Sequence, residues 1–248
     1  MSILKTIKKI LPFLILSLII FRIGFYLWNQ PNTFQKFDPL AHKRAYLGST
    51  YAQKGGAPIS DYIVYGYAAW EYVHGKNPTL INPEMPPLGK YLMGISILLF
   101  KRIEVGSLIF GIFSLILVFL IGKIILKSTI LALIPIVILS FESLFVSQLD
   151  NALLDIYHLF FVLLAFYFFL TAQKRKVFFA FASLALGGVI ATKFYFSGVI
   201  VIFSWITYLV LSRNRQGLAN LIISLPLAIL VLMASYLKIF IEGESLRR

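Results

Sequence analysis

The chain has 248 residues, of which 59% are hydrophobic and only 13% charged. A soluble domain of this length carries about 25% charged residues, so composition argues against a cytosolic globular protein. Its 23 Lys+Arg against 10 Asp+Glu give a net charge of +13. The basic residues form short clusters between apolar runs, as in cytoplasmic loops, not a nucleic-acid-binding face. There is no cysteine, which excludes disulfides and thiolate metal sites.

The N-terminus, "MSILKTIKKILPFLILSLIIFRIGFYLW", combines a basic start with a long apolar core. A cleavable signal peptide has an apolar region of roughly 7–15 residues and a small-residue cleavage site. Ile10–Trp28 is longer and no such site follows. It reads as a retained signal-anchor helix over residues 1–28, with Lys5, Lys8 and Lys9 on the inner side. Residues 29–104 then form a large outer loop. Its first part is polar and turn-rich, broken at "GGAP". "YIVYGYAAWEYVHGKNP" is aromatic and predicts a helix lying at the interface, where Tyr and Trp settle. "INPEMPPLGKYLMG" follows, in which prolines fix the backbone between Glu84 and Lys90. The apolar run Leu88–Phe100 is short for a helix that must cover about 20 residues to span.

Six further spans are predicted in residues 105–240: Val105–Gly122, Ile130–Ser147, Ile156–Leu170, Val177–Thr192, Phe194–Leu211 and Leu218–Phe240. If Leu88–Phe100 does not cross, Lys123/Lys127, Lys174-Arg175-Lys176 and Arg213/Arg215 all fall on the side of the N-terminal lysines, as the positive-inside rule requires. If it crosses, they all move outside. The charges therefore predict an all-α polytopic membrane protein. It has about seven transmembrane helices, an inner N-terminus, outer juxtamembrane helices and an outer polar tail at 241–248.

This topology gathers the acidic residues on one face. Asp38, Glu71, Glu104, Glu242 and Glu244 read as ordinary polarity of outer segments, and Glu142 falls in the outer third of a span. Asp61, Glu84, Asp155 and Lys193 stand apart. Asp61 precedes the aromatic stretch, where Ser60 or Asp61 is also suited to capping the helix. Asp155 ends "LDNALLD" at the start of an apolar run. Lys193 lies at the outer end of a span, either snorkelling or paired. Ionisable groups at membrane depth are costly and mark function or a pair.

The segments "ISDYIVYGYAAWEYVHGKNPTLINPEMPPLGKYLMG", "LLDIYHLFF" and "GGVIATKFYF", in this order, resemble the protein O-mannosyltransferase family and its relatives, which include the lipid A aminoarabinose transferases. These are polyprenyl-phosphate-sugar-dependent glycosyltransferases of the GT-C fold, and the resemblance covers their conserved N-terminal half. It implies that Asp61 is the catalytic base, although Tyr62 stands where the family pairs that aspartate with a glutamate. It places Glu84 at a metal or substrate contact, the one candidate for a divalent metal. It puts Asp155 and Lys193 in the cavity below the first loop. Lys90 and Tyr67 join them as substrate-binding residues. The implied reaction moves a sugar, mannose in the first instance, from a dolichyl- or polyprenyl-phosphate donor to a hydroxyl, inverting the anomeric centre. The acceptor is a protein Ser/Thr or a lipid. Asp61 takes the proton, Lys90 and Lys193 neutralise the leaving phosphate, and Asp155 orients Lys193. The site lies on the outer face of a prokaryotic plasma membrane, or on the lumenal face if the cell is eukaryotic. A different class remains open: a non-catalytic polyprenyl-lipid carrier or transporter, or a truncated partner subunit. A transporter carries repeats with helices broken at mid-membrane, and the sequence shows no repeat.

Overall fold

The computed structural model describes residues 2–30, 35–193 and 195–242, with side chains described from Ile10 to Ile241 within those ranges. The side chains of Lys5, Lys8, Lys9 and Glu242 lie outside this description, as do Glu244 and Phe194. Among the described residues thirteen helices follow one another, with no strand beyond one isolated bridge, Ser49 to Ala57.

Among the described residues, four helical stretches are long and apolar enough to cross a membrane: Ile10–Trp28 within α1 (Ser2–Trp28), α5 (Glu104–Leu126), α8 (Leu154–Ala172) and Arg215–Ser235. Much of their surface is bare Leu, Ile and Phe, which only a lipid solvent tolerates over such an area. This is an integral multi-pass membrane protein.

The span expected at Ile130–Ser147 is broken into α6 (Leu133–Phe141) and α7 (Ser143–Asp150), bent by 68°. Glu142 explains the break. Its backbone turns extended, and its Oε2 accepts the Phe145 N–H at 2.6 Å, capping α7. An acid placed within an apolar run has ended one helix and started another. The last expected span is interrupted before Pro226, which has no N–H to offer, and again at Tyr236, giving α11 (Arg215–Ser224), α12 (Pro226–Ser235) and α13 (Leu237–Glu242), but Arg215–Ser235 still counts as one stretch long enough to cross.

The remaining expected spans, α9 (Phe178–Thr192) and α10 (Tyr195–Leu211), are apolar but short, at 15 and 17 residues. The shortness of α9 goes with its position. It packs against α8 and α12, and its small residues let neighbours approach closely. A Cβ on Gly188 would sit 2.2 Å from the Phe161 ring, and one on Gly187 2.6 Å from Val231. This helix is sheathed by protein along most of its length, so lipid thickness does not set its length.

The segment between α1 and α5 folds into α2 (Pro39–Leu47), α3 (Asp61–Val73) and α4 (Leu88–Phe100). With 13 residues, α4 is about 20 Å long, against a hydrocarbon core of about 30 Å. Its C-terminal end is tied to the start of α2 by Phe37 N–H donating to Lys101 O at 2.9 Å. Its N-terminal Gly89 packs against Leu154 and Thr192, at the ends of α8 and α9. Both ends of α4 thus lie level with the same ends of the spans, and it runs along the end of the bundle. In the charge-derived topology this is the outer end.

Single cysteines should test that topology without background labelling. Cysteines at Ser60, Lys101 and Asn151 are expected to react with a membrane-impermeant maleimide from outside, and those at Lys127, Lys174 and Arg215 to stay protected. Protection at 101 combined with labelling at 127 would mean that α4 crosses.

Candidate functional site

The proline-rich turn before α4 is held from within by Lys90. The side chain is 0% exposed. Its Nζ donates to Asn82 O at 2.6 Å, Met85 O at 2.9 Å and Tyr72 Oη at 3.3 Å. The three acceptors match the three N–H donors of an ammonium. Tyr72 in turn donates to Ile81 O at 2.6 Å. The chain can turn here because Asn82 adopts a positive φ of 47°, which asparagine tolerates better than most residues. Burial pushes the Lys90 pKa down to about 7, against an upward pull from Glu84.

Lys90 therefore does not face a cavity as the sequence suggested; its donors are used inside the turn. Lys90→Met is expected to leave two carbonyls and a phenol short of a donor. At about 1–3 kcal/mol for each buried group left unsatisfied, the variant should melt well below the wild type in detergent. An unchanged melting temperature would show that the turn does not depend on this lysine.

A second group of ionisable residues sits at the adjoining ends of α8 and α9. Lys193, the residue that ends α9, donates to Asp155 Oδ1 at 2.5 Å. Asp155 lies in the first turn of α8. An acid at a helix N-terminus and a base at a C-terminus both sit favourably in the helix dipoles. The pair is partly accessible, with side-chain exposures of 18% for Lys193 and 40% for Asp155.

Asp61, the first residue of α3, is exposed and accepts a hydrogen bond from Tyr65 Oη at 3.2 Å. Burial, and then the Asp61 carboxylate, push the Tyr65 pKa well above its ordinary value, and Asp155 adds to this. Tyr65 thus bonds to Asp61 and lies within reach of the charge on Asp155. Nor does Ser60, the N-cap residue of α3, make a side-chain capping bond. Asp38, by contrast, is engaged as a cap. Its Oδ1 accepts from Leu40 N and Ala41 N, and these bonds, the one from Ala41 foremost, hold its pKa below the usual carboxylate range.

The other expected residues fall elsewhere. Glu84 is exposed and close enough to raise the pKa of Tyr51, after burial and Asp61. Among the described residues, no three His, Asp or Glu side chains are grouped to hold a metal ion, so the residues present do not fit a metal at Glu84. Tyr67 is buried, its ring centroid 4.8 Å from that of Tyr46. It lies between α3 and α2, not beside Asp61. The residue that does reach the site is Tyr65. Its spacing of four from Asp61 on a predicted helix was a usable signal. Tyr62, in the place of the family glutamate, donates to Glu104 Oε1 at 2.8 Å.

The helical bundle defines a polytopic membrane protein with ionisable residues gathered at one end of its helices. The profile of the family described as dolichyl-phosphate-mannose-protein mannosyltransferase matches residues 84–238. The chain belongs to this family, and so to the glycosyltransferases. The matched segment contains Glu84, Lys90, Asp155 and Lys193, while Asp61 precedes it. No curated protein and no solved structure matched the chain.

The Asp155–Lys193 pair can be examined by a double-mutant cycle. Removing one partner strands a charge, so Lys193→Met and Asp155→Asn should each destabilise the protein by about 1–3 kcal/mol, below the cost in a fully buried pair because Asp155 is partly solvated. The double variant should recover part of that loss. Strictly additive losses in urea unfolding would mean that the two residues do not interact.

Proposed function

We propose that the protein transfers a sugar, mannose in the first instance, from a polyprenyl-phosphate donor to an acceptor hydroxyl, with a protein Ser/Thr as the expected acceptor. The observation that supports it most is the convergence of Asp61, Tyr65, Asp155 and Lys193 at one end of the bundle. A lipid-linked sugar has its tail in the bilayer and its head in water, so its reaction must take place at this boundary.

In this reading the acceptor oxygen attacks the anomeric carbon from the face opposite the phosphate. The bond from that carbon to the phosphate oxygen breaks, and its electron pair leaves with the polyprenyl phosphate. The acceptor proton passes to Asp61, whose carboxylate is open to solvent and not occupied in capping α3. Tyr65 orients that carboxylate. Lys193 balances the charge on the departing phosphate, and Asp155 holds the ammonium in place. One carboxylate base is sufficient, because phosphate needs no general acid when its charge is neutralised. The site faces the outside of a prokaryotic plasma membrane, or the lumen of the endoplasmic reticulum.

A carrier of polyprenyl lipids is the second reading, and the 68° break between α6 and α7 favours it, since transporters use discontinuous helices. Purified protein given a radiolabelled polyprenyl-phosphate mannose and a Ser/Thr peptide separates the two. A carrier binds the lipid without turnover. The transferase labels the peptide, and Asp61→Asn should then lower the rate by roughly 10²–10⁴-fold with lipid binding retained. Near-normal transfer by that variant would remove Asp61 from the mechanism.

A further inference from the structure

A second polar site lies at the same end of the bundle, away from the Asp155–Lys193 pair. A cavity of about 560 Å³ opens between the ends of α1, α2, α3, α5 and α7, with Gln30, Asp38, His42, Tyr62, Glu104 and Asp150 among its lining residues. Glu104 is 3% exposed, and its Oε2 has no hydrogen-bond partner among the described residues; Asp150 Oδ1 is likewise buried and unpartnered. Tyr62 occupies only Glu104 Oε1. The nearby Arg102 is exposed and makes no ion pair with Glu104 among the described residues. His42 uses Nδ1 on Asp38 O at 2.9 Å. A carbonyl accepts, so Nδ1 carries the proton. Burial pushes the ring pKa down, so the neutral ring leaves Nε2 as another acceptor. The cavity thus holds two buried carboxylate oxygens without a partner among the described residues, while donor side chains of its lining, Gln30, Lys36 and Asn151, belong to exposed or half-exposed residues. Unpaired carboxylates in such a place are costly and call for a cation that donates hydrogen bonds.

Directly along the same two helices runs an apolar groove of about 530 Å³, lined by Leu16, Ile20, Gly24 and Leu27 of α1 and by Leu108 and Ile112 of α5, with other apolar neighbours. A Cβ on Gly24 would meet nothing within 4 Å, so the groove is open there. Leu108 of the groove and Glu104 of the cavity are about one turn apart on α5, and Leu27 and Gln30 are three residues apart, so the groove and the cavity are neighbours. From Leu16 to Leu27 it is about 16 Å long, roughly half of a 30 Å hydrocarbon core. That is the depth of one leaflet. Exposed Lys36, also in the cavity lining, supplies a cation.

We propose that this is a binding site for a phospholipid with a primary-ammonium headgroup. One acyl chain lies in the α1–α5 groove, the ammonium donates to Glu104 Oε2 and Asp150 Oδ1, and the phosphate faces Lys36. The inference does not rest on the transferase reading. Its apolar and polar halves are two independent observations on neighbouring stretches of α1 and α5.

Protein in phosphatidylcholine nanodiscs, doped with either phosphatidylethanolamine or phosphatidylglycerol of the same acyl chains, tests it by native mass spectrometry of retained lipid. Wild type should retain phosphatidylethanolamine at least tenfold over either competitor, since the choline headgroup has no N–H and the glycerol headgroup no positive charge. Glu104→Gln combined with Asp150→Asn should abolish that preference. Gly24→Leu, which fills the groove without touching the cavity, should reduce retention of every lipid. Melting temperatures and wild-type-like helical circular dichroism establish that the variants are folded. Equal retention of the three lipids by wild type would overturn the proposal, as it would if Glu104 is simply protonated and the cavity holds no headgroup. A preference unchanged in the double variant, or retention unchanged in Gly24→Leu, would overturn it as well.

Discussion

The buried amine of Lys90 organises the end of the bundle where the chemistry lies. It draws Asn82 O, Met85 O and Tyr72 Oη around one nitrogen, and so fastens the proline turn to α3 and starts α4. Hydrogen bonding in an apolar setting is strong when complete and costly when partial. A lysine with all three donors used therefore specifies one conformation of a segment that prolines alone would only stiffen. With that turn fixed, Gly89 can lie against Leu154 and Thr192. This contact sets α4 against the ends of α8 and α9, which carry Asp155 and Lys193.

Those ends are where a membrane protein can hold charge. Within the hydrocarbon an isolated carboxylate or ammonium is expensive; at a helix terminus it meets a favourable dipole, water and a partner. Asp155 and Lys193 use all three. Asp61 lies at a helix start for the same reason, and Glu142 shows the alternative, since an acid inside an apolar run ends the helix and caps the next one. The functional readings of the two sites share this logic. Both sit at one end of the bundle, one offering a cation and a carboxylate to a lipid phosphate and an attacking hydroxyl, the other offering carboxylates to an ammonium.

Lysine has two uses in this chain that look alike in sequence. Lys90 and Lys193 each follow a glycine or small-residue stretch near the bundle end, and both resemble positions for phosphate contact. Lys90 is consumed by the turn beside it, while Lys193 keeps partial access to solvent. The same contrast separates Tyr67, packed on Tyr46, from Tyr65, which reaches Asp61. One helical turn decides between core and site, and the hydrophobic period does not distinguish two tyrosines two residues apart in a helix sheathed on several faces.

The sequence by itself determined the solvent of this protein, its helical class, the expected non-crossing of α4 and the residues at the ends of its spans. Hydropathy, loop charge and proline act locally along the chain and can be read without a fold. The GT-C-family resemblance was likewise carried by local strings. Tertiary structure alone decided which of those residues meet. Lys193 and Asp155 are 38 positions apart, Tyr62 and Glu104 42, and no period in sequence relates them. It also decided that Glu142 breaks a span, that Lys90 is spent inside its turn, and that a cavity lined by Glu104 and Asp150 neighbours an apolar groove. Each depends on what the neighbouring helices leave unsatisfied, and a hydrogen-bonding deficit exists only once the chain has packed.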